Sequence, residues 1–194
     1  GVTGLDERAW LSSTFTAPQV DHMRDVFQPL GGGSLDNLLV GSVDKVVSGL
    51  GSLVGWFDNP RDRADYAVPL VRHLVDLLGQ VAPTWAGSIE HLHFAYQVVM
   101  ETTYKMRAEP GWVDLTVWAA LSQVAIGPQV AAAMRADYGE VPLPGHAGFE
   151  RLVILADKAG NDQEVLRLCA EAQAQGWAGS WDERRAKAHR RLGA

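Results

Sequence analysis

Between His146 and Trp181 the apolar residues recur twice at helical spacing, with a three-residue break between the two runs. Phe149, Leu152, Val153 and Ala156 stand at i, i+3, i+4 and i+7, and Val165, Leu168, Cys169 and Ala172 repeat the pattern. Gly160-Asn161-Asp162 separates them, a helix stop followed by residues that cap a new helix. Two amphipathic helices joined so tightly must fold back on each other. Neither can bury its apolar stripe alone, so the hairpin must also pack on its neighbours. No segment of the chain shows sustained apolar–polar alternation bounded by hairpin turns, and no sheet is expected. The sequence reads as all-α.

The same punctuation divides the rest of the chain. Leu5 to Ser13 predicts a short helix anchored by Trp10. Thr16-Ala17-Pro18-Gln19 reads as a capped start for a helix carrying Val20, Met23 and Phe27. Gly31-Gly32-Gly33-Ser34 then has the composition of a linker. Asn59-Pro60 opens the next helical region, and Pro69 starts or kinks a helix carrying Val71, Leu74, Val75 and Leu78. A long helix follows Ser88, a further one carries Leu115, Trp118 and Leu121, and Pro128 opens an alanine-rich one. A loop at 141–145 with two prolines leads into the hairpin, and Ser180-Trp181-Asp182-Glu183 has the spacing of a capping box. The expected organisation is an N-terminal helical arm with its glycine-rich linker at 1–33, and a helical-repeat-like domain at 34–194. Within that domain the hairpin spans 147–176 and a basic terminal helix spans 181–192.

Residues 35–57 are unusual. Leu35, Leu39, Val43, Val46, Leu50, Val54 and Phe57 keep a helical period, yet Asp36, Asp44 and Lys45 are the only charges. Gly41, Gly49, Gly51 and Gly55 each weaken a helix by up to ~1 kcal/mol relative to alanine. Such a segment needs cover, from the core of the chain or from a second copy in a homodimer. Asp44-Lys45 in its middle argues against a membrane span. The start of the chain has no basic cap and apolar run of the secretory kind, and cysteine is used once, so the expected location is cytoplasmic.

The hairpin resembles a tetratricopeptide repeat, through Phe149, Leu152 and Ala156 in its first helix, Gly160 at the turn and Ala172 in the second. Val153 and Val165 stand where that repeat favours small residues. The block from 93 to 181 is similar to uncharacterised bacterial helical-repeat proteins, through His146-Ala147-Gly148-Phe149 and Gln175-Gly176-Trp177-Ala178-Gly179-Ser180-Trp181 ahead of a basic helix. The resemblance implies an irregular α-α superhelix, a right-handed array of antiparallel helix pairs used for interaction rather than chemistry.

The residues themselves offer little catalytic signal. Six histidines invite a metal, but His91 and His93 point about 200° apart on a helix, and no metal-binding spacing is present, so no metal or cofactor is expected. Cys169 sits on an apolar stripe and reads as an inert core thiol. His93, Gln97, Glu101 and Tyr104 share one face of the long helix and form a candidate partner or ligand surface. From Trp181 onward five cations face two acids, an excess of +3 in a chain of net charge −6, so the remainder carries −9. Arg184 and Arg191 are therefore the second candidate contacts. That remainder argues against nucleic acid as the partner.

The function expected is a non-enzymatic scaffold that binds a peptide or protein in a groove between the helix at 88–107 and the terminal hairpin. The alternative is a helical-bundle enzyme or small-ligand binder using His93, Glu101 and Tyr104. That alternative requires a deep closed pocket around them.

Overall fold

Helices make up most of the regular structure, as the periodicities require. A computed structural model of the chain describes residues 3–139 and 142–194. Gly1 and Val141, the first residue of the proline-containing loop, lie outside the described residues. The helices are α1 (Arg8–Thr14), α2 (Ala17–Val26), α3 (Leu35–Leu38), α4 (Val43–Phe57), α5 (Val68–Val81), α6 (Ile89–Lys105), α7 (Trp112–Ala125), α8 (Gly127–Tyr138), α9 (Ala147–Lys158), α10 (Asp162–Gln175) and α11 (Trp181–Leu192). Arg63–Ala67 forms a π-helical turn leading into α5, and Ala82–Thr84 a 3₁₀ turn leaving it. The fold class is all-α.

The stretch at 35–57 owes its low charge to burial inside the chain. Val46, Val47, Leu50, Leu53, Val54 and Phe57 of α4 are fully buried between α5 and α6. It is not one helix. The chain breaks at β2 (Val40–Ser42), where Gly41 adopts φ +141, and Ser42 then caps α4 by accepting from the Lys45 N–H at 3.2 Å. β2 pairs antiparallel with β1 (Gly4–Asp6). A second ladder joins β3 (Leu143–Gly145) in parallel to β4 (Trp177–Ala178). These correct the expectation of no sheet: strands of two or three residues are too short to show alternation. Gly49 lets α3 close on α4, since a Cβ there would sit 2.8 Å from the Leu38 carbonyl oxygen.

The segment expected as an arm is part of this core. Leu11, Phe15, Val20, Met23 and Phe27 are buried in the same cluster as α4 and α5. Trp10 stacks on His73 of α5 with ring centres 3.8 Å apart, and His73 Nε2 hydrogen-bonds the Glu7 carboxylate at 2.7 Å. The glycine run behaves as a turn, with Gly31 and Gly32 at φ +103 and +79. The helix start at Thr16 forms as read. Its hydroxyl accepts from the Gln19 N–H, and the Gln19 side chain accepts from the Thr16 N–H.

α6 lies between α4 and α7, and α9 packs on α7 with both its ends reaching α6. The hairpin of α9 and α10 turns at Gly160, φ +70, and Asn161 caps α10 by accepting from the Glu164 N–H at 3.2 Å. α11 packs on α10. Ser180 makes no side-chain cap, so the expected capping box does not form; Trp181 anchors this start instead, its indole donating to the Trp177 carbonyl at 2.8 Å. Among the described residues no single helix is long and apolar enough to cross a membrane.

Candidate functional site

α11 begins with Asp182 and Glu183 and ends with His189, Arg190 and Arg191, the arrangement its dipole favours. Trp181 and Ala188 are buried and fix which way the helix faces. Two of its arginines are used as clamps. Arg191 Nη1 reaches Asp157 of α9 at 2.5 Å and Asp162 of α10 at 3.2 Å, joining both arms of the hairpin to α11. The Arg191 hydrogen bond holds the Asp157 carboxyl below its ordinary range. Arg185 donates to Gln173 at 2.9 Å, and Gln173 in turn donates to Asp182 at 2.7 Å.

The other three cations, Arg184, Lys187 and Arg190, follow at every third position and share a face. Their side chains make neither ion pair nor hydrogen bond with the described residues. They line a groove of about 320 Å³ between α9, α10 and α11. Val153 and Val165, both at most 1 % exposed, lie buried beneath it, and Ser180 and Glu183 stand at one end. The groove thus presents the positive charges of Arg184, Lys187 and Arg190 on one wall, opposed by Glu183 and by Asp157, which shares Arg191 with Asp162.

The α6 residues do not form one surface. His93 is 2 % exposed. Its ring lies parallel to that of Trp177 at 6.0 Å and 5.1 Å from that of His146, and the Gln123 amide donates to its carbonyl at 3.2 Å. Gln97, half-buried, donates to the exposed Glu101 at 3.1 Å. Tyr104 lies one turn further on. Arg107 and Arg151 sit over its ring at 4.2 and 3.7 Å, and Lys158 donates to its hydroxyl at 3.3 Å, a bond that lowers the phenol from its ordinary value. All four residues do lie on one side of α6. His146, the cap of α9, and Trp177 cover the His93 end, while Lys158 at the far end of α9 meets Tyr104. α9 therefore fills the space in which a groove between α6 and the hairpin was expected; the groove present lies across α9, against α11.

The buried pair His93 and His146 is unsuited to acid–base work on a bound substrate. Burial pushes His93 down to about 4 and, with the added proximity of His93, His146 down to about 3. His146 Nδ1 accepts the Phe149 N–H at 3.1 Å, which fixes a neutral ring and starts α9. Neither ring lines any of the clefts described. Among the described residues no three His, Cys, Asp or Glu side chains group as a metal site requires. Cys169 is buried, and burial raises its thiol.

Sequence reasoning picked Arg184 and Arg191 as equals. The structure separates them, because only the fold shows that Asp157 and Asp162 claim Arg191. It passed over Lys187 and Arg190 as site residues, although their spacing from Arg184 was the available signal. Comparison with family models, curated proteins and solved structures finds no match to this chain.

Proposed function

We propose that this chain is a helical scaffold that binds a protein partner through a short acidic segment, seated in the groove between the tetratricopeptide-like hairpin and α11. One observation carries the reading: three cations with no ion pair or hydrogen bond among the described residues line one groove. A cation left unpaired in a groove gains from a carboxylate that forms a charge-assisted hydrogen bond with it there. A short run containing acidic residues meets that requirement, with carboxylates against Arg184, Lys187 and Arg190. The wall is one helix long, which suits a segment of a few residues rather than a broad interface.

Fluorescence anisotropy of a labelled peptide alternating glutamate with leucine tests this, beside a matched lysine–leucine peptide and a labelled single-stranded DNA. The acidic peptide is expected to bind, and Arg184→Glu with Arg190→Glu to weaken it by about a hundredfold or more at low salt. Circular dichroism of the double variant should be unchanged, since neither side chain is tied into the fold. Equal affinity of wild type and double variant would overturn the proposal, and so would tighter binding of the DNA.

A further inference from the structure

A second cleft, of about 500 Å³, lies on a different part of the molecule, between the π-helical turn, the start of α5, the end of α6 and the start of α7. Its chemistry is set by Asp58, whose side chain is only 5 % exposed. Asp58 Oδ1 accepts from Arg63 Nε at 2.7 Å, and Oδ2 accepts from Lys105 at 2.5 Å and from the Thr102 hydroxyl at 3.2 Å. Burial alone would raise this carboxyl, but the bonds and charges of Arg63 and Lys105 outweigh it and hold it below the ordinary range. One buried carboxylate thus positions two cations at the cleft. Neither terminal nitrogen of Arg63 has an acceptor among the described residues.

Arg72 supplies a third cation. Its guanidinium lies 4.4 Å from the ring centre of the buried Trp112 and has no acidic partner among the described residues. This cation–π contact holds the group in place without using its N–H donors. Val68 and Met106 complete an apolar wall, and Glu109 is the acid of the cleft itself. The volume falls in the range of small-molecule sites. The lining also includes a π-helical turn, a local geometry found often at functional sites.

We infer that this cleft binds a small organic anion, with an oxyanion headgroup between Arg63, Arg72 and Lys105 and a compact apolar body against Val68 and Met106. The apolar wall sets it apart from a site for a bare ion. The positioned cations set it apart from a site for a neutral ligand. This inference is independent of peptide binding at α11.

Isothermal titration calorimetry of the full chain with phenyl phosphate, benzoate, inorganic phosphate and benzyl alcohol tests it, together with the indole N–H resonance of Trp112. Phenyl phosphate or benzoate is expected to bind at least about tenfold more tightly than inorganic phosphate, and benzyl alcohol not measurably. Binding should shift the Trp112 resonance. Arg72→Gln is expected to weaken the organic anion by about tenfold or more. Arg72→Gln also removes the cation–π contact with Trp112, so Met106→Glu, which adds a negative charge to the wall, provides the second variant and should abolish binding. The inference fails if no probe moves Trp112, if inorganic phosphate binds as tightly as its phenyl ester, or if either folded variant retains wild-type affinity.

Discussion

Lowering the pH from about 7.5 to about 5 is expected to weaken the fold through His93 and His146. Both rings are buried, 2 % and 0 % exposed, and their folded-state values fall from the ordinary 6.5 to about 4 and about 3. The unfolded chain therefore takes up protons that the folded chain refuses. Their contribution to stability is complete above about pH 6.5 and is lost as the pH falls through 6.5 toward the folded values. Each group costs ~1.4 kcal/mol per pH unit within that window, so the two together remove ~4 kcal/mol by about pH 5. Side-chain relaxation and water entry would reduce that figure, and a loss of ~2 kcal/mol would still be a large share of a typical domain's stability. Most carboxylates titrate below this window, so the histidines dominate it. Urea unfolding followed by circular dichroism at several pH values measures the loss directly. The variant His93→Gln with His146→Asn supplies the comparison: asparagine keeps an acceptor for the Phe149 N–H at the α9 cap, and neither new residue titrates. It retains His22, His73 and His91, which lie beside Asp62, Glu7 and Asp44, so the difference between the two proteins isolates the buried pair. A difference below ~1 kcal/mol between their pH profiles would refute the reasoning.

Two glycines of α4 should respond oppositely to alanine. Gly49→Ala drives a Cβ to within 2.8 Å of the Leu38 carbonyl oxygen, and a loss of ~1–3 kcal/mol is expected from urea unfolding. Gly55→Ala meets open space in the same helix and should gain ~0.5–1 kcal/mol; the same sign for both would contradict the packing of α3 on α4. Cys169 is 0 % exposed and its thiol is raised by burial, so a thiol reagent should label it only on unfolding. Fast labelling of the native chain would show that the α9–α10 hairpin opens readily.

Where a feature depended on neighbours in sequence it was mostly legible, the capping box expected at Ser180 being the exception. Thr16 with Gln19, Gly160 with Asn161, and Pro128 at the start of α8 each act within one helical turn, and each forms as read. Where it depended on what covers a residue, it was not. The His93-to-Tyr104 face reads as uniformly polar along α6, yet Trp177 and His146, both more than fifty residues away, turn one end of it into core. The charge excess of α11 was visible, but its division into clamps and uncommitted cations required the positions of Asp157, Asp162 and Gln173. Asp58 gave no signal at all. Its partners Arg63, Thr102 and Lys105 come from two separate helical segments that only the fold brings together.

This division of labour on α11 decides which substitutions can report on a partner. Arg191 joins α9 and α10 to α11, so its removal loosens the wall of the groove and would lower affinity for any occupant, whatever its charge. A loss at Arg191 alone therefore says little about recognition. Arg184 and Arg190 have no ion-pair or hydrogen-bond partner among the described residues, and reversing them changes the potential of the groove while leaving its shape. The charge on the rest of the chain sharpens the same point. Screening limits exposed charges to about 8 Å at physiological ionic strength, so a short acidic segment seated in the groove senses mainly the three cations beside it. A nucleic acid extending past α11 would meet a surface that carries −9 overall, and its charge repeats along its whole length. The groove's chemistry and the charge outside it thus favour the same occupant, an acidic segment short enough to stay within one helix's reach.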